Sequence, residues 1–463
     1  MNSLKPAEIT SFAAALDYDE YQTFMAKNPD LQAVEFLLVD PNGILRGKWA
    51  PAESLEKAFK TGINFPLSLH GLDVWGREVP ATGLHIESGD VDGFFRAVPG
   101  TLKTVPWAGR KTAQVLLRGY TAAGELLRFD CRNALARITK ALAKRGQYPV
   151  VAFELEFYLL DPQAEKVGNM PAPVGSSFGP DRQRMYGLDH LDEFSAFFDE
   201  LRHVAEEQQI PIDTIVSEAA PGQFEVNLNH RCDPLRAADD VIMLKRVVIA
   251  LARKHGLQAT FMAKPFIDHA GNGMHVHTSI VDADGNNLFA AKDDGREALE
   301  GVVAELIRTM PQGLLLFINS WNGFRRIQPG SYAPTRAVWG ENNRSVAVRI
   351  PASPAKARRV EHRIAGADAN PYIVLCAILQ AAYDGLDQRE KPPLPATGNA
   401  YDFDESAEQL PDDMNEALLL METGEFCDRA LGPELAKIYK DLKRAEIHAF
   451  WQEITPLERT TYL

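Results

Sequence analysis

The chain has 463 residues, 45% of them hydrophobic, and a formal net charge of −14. That is enough apolar material for one very large or two moderate domains. The negative balance argues against a nucleic-acid groove and suits cationic substrates or partners. The four cysteines, Cys131, Cys232, Cys376 and Cys427, lie far apart without a CxxC pair. They read as reduced thiols, neither a disulfide frame nor a zinc site. Neither a signal peptide nor a run of the ~18 apolar residues that a membrane span needs is evident. A cytoplasmic location is the expectation.

In chain order, residues 20–28 read as a short helix and Ala33–Val39 as a strand. Asp40-Pro-Asn-Gly43 is a turn signal, and Ile44–Trp49 is the expected hairpin partner. A mixed region containing His70, Asp73 and Trp75 runs to about residue 115. Gln114–Arg118 and Leu126–Phe129 flank a turn at Ala122-Ala-Gly124. A domain boundary is placed near residue 125, with a small domain over 1–125 and a large one over 126–463. Cys131–Arg145 reads as a helix before Gly146.

Val150–Leu160 is the stretch that carries the chemistry. Its side chains alternate, so Phe153, Leu155, Phe157 and Leu159 share one face and Glu154 and Glu156 the other. Adjacent carboxylates repel and call for Arg, Lys or a metal. The plain alternative is a solvated outer sheet face. Other candidate strands repeat the pattern: Gln223–Asn229 sets Glu225 opposite Phe224 and Val226. Met274–Ile280 groups His275, His277 and Ser279, and Val360–Ile364 groups Glu361 and Arg363. Four such strands predict a sheet with a wet, functional face able to hold hard divalent cations.

Between these strands, residues 167–183 read as a long loop rich in Gly, Pro and Ser, and Asp192–Gln209 as an amphipathic helix. Asp233-Pro234 caps a helix running to about Lys254. Arg296–Met310 is helical, and Pro311 is expected to open a further piece to Ile318. Tyr372–Leu386 reads as a core helix, and Asn415–Leu420 and Pro433–Phe450 as late helices. The segment 319–351 concentrates Arg325, Arg326, Arg336, Arg344 and Arg349 among glycines and apolar residues. Such guanidinium forks suit carboxylates and phosphates.

Several ordered motifs carry a family resemblance: Phe153-Glu-Leu-Glu156, Ser217-Glu-Ala-Ala-Pro-Gly-Gln-Phe-Glu225, Gly273-Met-His-Val-His277, Pro329-Gly330, Glu341-Asn-Asn-Arg-Ser345, Arg349-Ile-Pro351 and Arg359-Val-Glu-His-Arg363. On these the chain resembles the glutamine synthetase superfamily over about residues 30 to 390. The resemblance implies an α+β fold, with a small N-terminal β-grasp-like domain and a catalytic domain on a curved antiparallel sheet. It implies a ligase that phosphorylates the γ-carboxylate of glutamate with ATP and then admits an amine. Two or three Mg2+ or Mn2+ ions would neutralise the phosphates.

Carried over, Glu156, Glu218 and Glu225 resemble the ligands of one metal, and Glu154, His275 and Glu361 those of another. Arg326, Arg363 and Gly271 resemble the glutamate binders. Arg344 resembles the phosphoryl-binding arginine, and His277, Ser279 and Arg349 fall where the family meets ATP. Asp40 matches an acidic residue that serves the neighbouring subunit's site, in an assembly of two stacked hexameric rings. Tyr401 is read as an ordinary loop tyrosine.

The family's ammonium-binding glutamate is missing: Ser331-Tyr332-Ala333-Pro334 puts Tyr332 in its place. The family's Asp-Gly-Ser-Ser segment is missing too, with Trp75 in that region. The pattern resembles the γ-glutamylpolyamine (γ-glutamylputrescine) synthetase branch. Tyr332 and Trp75 become candidates for contact with an organic amine. A glutamine synthetase with an altered loop, a guanidino kinase and a non-catalytic relative are the alternatives.

Overall fold

The computed structural model describes residues 18–163, 170–174, 185–290, 294–402 and 408–463. Two sheets organise it. The first has the strand Ala33–Val39 between the antiparallel Leu45–Pro51 and the parallel Thr112–Tyr120. Asp92–Ala97 and Ile63–Pro66 continue it beyond Thr112–Tyr120. Its own core gathers Val34, Phe36, Phe59, Phe95 and Val115.

The second sheet has nine strands, with Tyr148–Asp161 near its centre. Met274–Val281 and Gln223–Leu228 flank that strand, both antiparallel to it. Val360–His362 and Val348–Ile350 extend the sheet on the histidine side, again antiparallel. Among the described residues of this sheet, only the short edge pair Trp339–Glu341 and Val348–Ile350 runs parallel.

The alternation read from the sequence decides which face is dry. Val151, Leu155, Phe157 and Leu159 are fully buried and Phe153 nearly so. They pack with Val241, Leu244 and Val248 of the helix Pro234–Lys254 in the main core. Each large side chain so buried contributes about 1.5–3 kcal/mol. Removing the register by one residue would send the carboxylates into that core.

Most helices fall where their signals put them. Asp233 caps its helix by accepting from the N–H groups of Leu235 and Arg236. The helix expected over 192–209 is two, Leu188–Glu193 and Ser195–Gln208, broken at Phe194. The stop expected at Pro311 is absent, and Asp294–Phe317 is one helix with that proline inside. Its burial against the core helix Pro371–Gln388 outweighs the lost backbone bond. Pro456–Tyr462 is a helix the sequence reading did not anticipate. Of the loop expected at 167–183, residues 170–174 are described, and Ala172–Pro173 pairs with the central strand. The rest lies outside the described residues.

The two sheets are joined by buried polar contacts. Lys443, on the helix Pro433–Trp451, has a fully buried side chain. Its ammonium donates to Asn42 Oδ1 at 3.1 Å, to the Asn319 carbonyl at 2.5 Å and to Glu446 Oε2 at 3.1 Å. Asn370 Nδ2 reaches the Asp40 carbonyl at 3.0 Å.

Lys443→Met strands Glu446 as an unpaired buried charge and is expected to cost about 3–5 kcal/mol. Thermal unfolding checks this, and Lys443→Met combined with Glu446→Leu should recover much of the loss. A double variant no more stable than the single one would contradict the assignment.

Candidate active site

The wet face of the large sheet carries a ladder of ionisable side chains. Cross-strand registry sets Glu156 opposite Glu225 and Glu154 opposite His275. It sets His277 opposite Glu361, and Glu361 opposite Arg349. Directly opposed residues lie about 4.5–5.5 Å apart at Cβ, so these groups meet.

Three overlapping sets bring their ligand atoms within 4.8 Å of one another: Glu156, Glu218 and Glu225; Glu154, Glu225 and His275; Glu154, His277 and Glu361. The first is the trio assigned from sequence to one metal. Glu154, His275 and Glu361, the trio assigned to the other metal, are spread over the two remaining sets. His277 joins Glu154 and Glu361, while His275 sits with Glu154 and Glu225. Glu154 links the two halves, touching His275 Nδ1 at 3.2 Å and His277 Nε2 at 2.7 Å.

The electrostatics are those of a site with excess negative charge. Burial, then the charge of Glu156, pushes the Glu218 carboxyl up to about 7. Burial, then Glu154 and Glu156, pushes Glu225 well up. Burial alone would raise Glu154 too, but its hydrogen bonds with His275 and His277 hold it low. Burial is likewise overcome at Glu361, where Arg363 and the two histidines keep the carboxylate ionised. Crowded carboxylates with one or two imidazoles form the donor set of a hard or borderline divalent cation, which would relieve the repulsion. The residues therefore fit the metals that the sequence implies.

Two arginines stand beside the ladder. Arg326, 5% exposed, donates from Nη1 to the Ile364 carbonyl at 2.8 Å. Arg363 pairs with Glu361, and its Nε has no partner. Glycine lets Arg326 approach: a Cβ on Gly271 would lie 2.6 Å from the Ala263 carbonyl and 2.7 Å from Arg326 Cγ. The Gly273 N–H donates to Glu156 at 2.6 Å, and Gln223 Nε2 holds the Gly271 carbonyl at 3.0 Å. Arg349 pairs with Glu361 at 2.6 Å and with Asn342 at 2.8 Å. Arg344 is exposed, and its charge acts on Glu218. Ser279 lies two residues beyond His277 on the same strand, opposite Val150. Tyr332 is 69% exposed, on the loop that follows Arg326.

Two further candidates sit among contacts within their own chain. Asp40 does not reach outward: its side chain is 1% exposed. Asp40 Oδ1 accepts from the N–H groups of Asn42 and Ile44, and Oδ2 from Arg46 Nε, each at 2.9 Å. Burial pushes its carboxyl up to about 6, against the pull of Arg46. This is a structural turn packed on its own chain. Trp75 is half-exposed, its ring lying 5.7 Å from Phe450 and 4.4 Å from the Arg77 guanidinium. It belongs to a stack with Phe450 and Trp321 that joins the two halves of the chain.

Two residues acquire roles that the sequence reading did not give them. Arg359 donates from Nε to His277 Nδ1 at 3.0 Å, which leaves the ring proton on Nε2, facing Glu154. The Tyr401 phenol donates to the Ala333 carbonyl at 3.1 Å. Arg359 lies within a quoted motif, but nothing in sequence links residues 401 and 333. A cavity of about 1420 Å³ lies between the Leu45–Pro51 hairpin and the helix Pro234–Lys254, and no residue of the carboxylate ladder lines it.

Residues 128–462 match the glutamine synthetase catalytic domain. The chain belongs to the glutamine synthetase family. It is 38% identical to the γ-glutamylputrescine synthetase PuuA of Escherichia coli (strain K12), over 95% of this chain and 93% of that one. It is 33% identical to the glutamate–isopropylamine ligase of a Pseudomonas species, over 94% and 95%. A solved complex of GmaS with ADP superposes with a TM-score of 0.82 at 26% identity, covering 95% of this chain and 98% of that one. The fold and the ATP-dependent ligase activity expected from the sequence stand, and the family uses divalent metals with ATP. No helix among the described residues is long and apolar enough to cross a membrane.

The raised carboxyls set a pH dependence. Below about 7, Glu218 holds a proton that a cation must displace, so affinity rises with pH and levels off above that value. Mn2+ binding should weaken by up to about tenfold per pH unit for each proton displaced. Calorimetry in buffers of different ionisation enthalpy reads this directly. Affinity and proton release that do not vary between about pH 5.5 and 7.5 would refute it.

Proposed function

We propose that the protein joins the γ-carboxylate of glutamate to an organic amine, a polyamine or a small monoamine, in preference to ammonium. The observation that carries the preference is Tyr332, an exposed aromatic side chain where the family's ammonium-binding carboxylate would stand. Ammonium is small and strongly hydrated, and its capture needs several close carboxylates. An alkyl amine brings methylenes worth ~0.8 kcal/mol each when buried. Its cationic end can also lie over a ring face. With Asp40 withdrawn into its own turn, the amine site has lost one more carboxylate candidate. The two amine ligases among its relatives support the same reading.

The chemistry assigns the remaining groups. Arg326 and Arg363 hold glutamate, with Gly271 giving Arg326 the room to do so. A γ-carboxylate oxygen attacks the terminal phosphorus of ATP, and ADP leaves. The amine nitrogen then attacks the γ-glutamyl phosphate carbonyl, phosphate leaves, and the nitrogen loses a proton. Arg344 stabilises the charge on the transferring phosphoryl group, and Arg349, His277 and Ser279 orient the nucleotide. Glu156, Glu218 and Glu225, and Glu154, His275, His277 and Glu361, would hold divalent ions, which would supply charge neutralisation. Mg2+ and Mn2+ both suit these donors. A cytoplasmic dodecamer of two stacked rings goes with this reading. Family membership supports the assembly, and its mass in solution tests it.

Catalytic efficiency with putrescine, spermine, isopropylamine and ammonium at one pH decides the preference. An organic amine is expected to win, and Tyr332→Glu to shift the ratio toward ammonium. If ammonium wins, the protein is a glutamine synthetase. Arg326→Ala should raise KM for glutamate, with a loss of about 1.5–3 kcal/mol. Arg344→Ala should lower turnover at saturating glutamate instead. An unchanged glutamate saturation curve in Arg326→Ala removes that role.

A further inference from the structure

Two loops bring substrate-facing residues to the cleft, and both contain a non-glycine residue in the left-handed region. Tyr332 has φ +58° and Asn342 φ +49°. For a bulky side chain such as tyrosine this conformation is strained and persists only where surrounding contacts enforce it. Residues 396–402 and 408–410 supply contacts to both loops. At the Arg344 loop, Asn343 Nδ2 donates to the Gly398 carbonyl at 2.9 Å and to the Ala396 carbonyl at 3.3 Å. The Ala400 N–H donates to Ser345 Oγ at 3.0 Å. At the Tyr332 loop, the Leu410 N–H donates to the Thr335 carbonyl at 3.0 Å, and the Ala337 N–H to the Glu408 carbonyl at 3.1 Å.

Nearest to Tyr332 the tie is a side chain. The Tyr401 phenol reaches the carbonyl of Ala333, the residue directly after the strained one. From the other side, Ser331 Oγ accepts from the Ala333 N–H at 3.2 Å. Ala333 is thus gripped at both its N–H and its C=O. Burial raises the phenol of Tyr401, while its interactions with the Ser331 hydroxyl and the Tyr332 backbone, then the charges of Arg326 and Arg363, draw it down.

We infer that Tyr401 is a positioning residue, whose bond to the Ala333 carbonyl holds Tyr332 in its left-handed conformation at the rim of the amine entrance. A held rim also keeps water from the acyl phosphate, since a loosened one admits it. The inference rests on reading this cleft as a ligase site, but not on which amine it takes.

Tyr401→Phe removes the hydroxyl and keeps the ring. Losing one neutral hydrogen bond should raise KM for the amine about fivefold. KM for ATP should stay unchanged. Phosphate release and amide formation, one to one in the parent, should separate, with excess phosphate marking hydrolysis. The assay uses whichever amine the parent enzyme consumes fastest, ammonium included. A parent that forms no amide defeats the ligase reading; a parent that does, with a Tyr401→Phe variant matching it, defeats the inference alone. Tyr332→Gly, which needs no enforcement at positive φ, supplies the second test. If Tyr401 acts through that conformation, adding Tyr401→Phe to Tyr332→Gly should change coupling less than it does in the parent. Strict additivity, or a proportional rise in KM for ATP, overturns it.

Discussion

The constraint on which the rest depends is the crowding of acid on one face of one sheet. Glu154, Glu156, Glu218 and Glu225 repel one another, and the raised carboxyls of Glu218 and Glu225 record their burial first and then that repulsion. A fold gains nothing from such a cluster by itself. It persists because the opposite face of the same strands buries Phe153, Leu155, Phe157, Phe224, Val226, Met274 and Val276. Register is fixed by that dry face, and the wet face has no freedom to move its carboxylates apart. The site is strained electrostatically by design of the sheet, and divalent cations are the natural relief.

The arginines divide the remaining work by burial. Arg349 and Arg363 converge on Glu361, and Arg363 with the two histidines keeps it ionised, so the ladder does not collapse into shared protons at that end. Arg326 is anchored to the Ile364 carbonyl and lies against two glycines, so its guanidinium is placed by backbone on both sides. Exposed Arg344 has none of that scaffolding from its own loop; the Asn343 and Ser345 contacts to the 396–400 stretch supply it. The rigid sheet thus orients charge, and the looser loops depend on a distant segment for their shape.

This division explains what could be read in the sequence. Period-two alternation in four strands exposes the ladder, because sheet geometry transmits it without reference to anything distant. Residues such as Glu156, Glu225 and Glu361 were legible for that reason. The partner of each histidine was not: whether His275 or His277 meets Glu361 depends on the register between strands more than 80 residues apart. The surroundings of Asp40 and Trp75 were hidden for a related reason. Arg46 and Asn370 meet Asp40, and Phe450 and Arg77 meet Trp75, from parts of the chain that sequence does not link to them. Pro311 misled because propensity near a proline is weaker than burial of the helix that contains it. Tyr401 was invisible because a lone tyrosine in a polar loop carries no period and no motif.

Amine choice then becomes a question about the rim, and the floor has little say in it. The floor of carboxylates and arginines serves phosphoryl transfer to glutamate, and that step is common to every ligase of this kind. An incoming nitrogen meets the groups on the loops. There the chain presents an aromatic ring at Tyr332 and keeps the Asp40 carboxylate buried. A ring offers dispersion and a cation-attracting face but no anion, so it favours ligands that carry their own apolar surface. The desolvation cost of bare ammonium has no such offset. On the proposed reading, substrate class is set by the residues least constrained by the sheet, and a short loop and the segment that holds it are where the nitrogen donor is chosen.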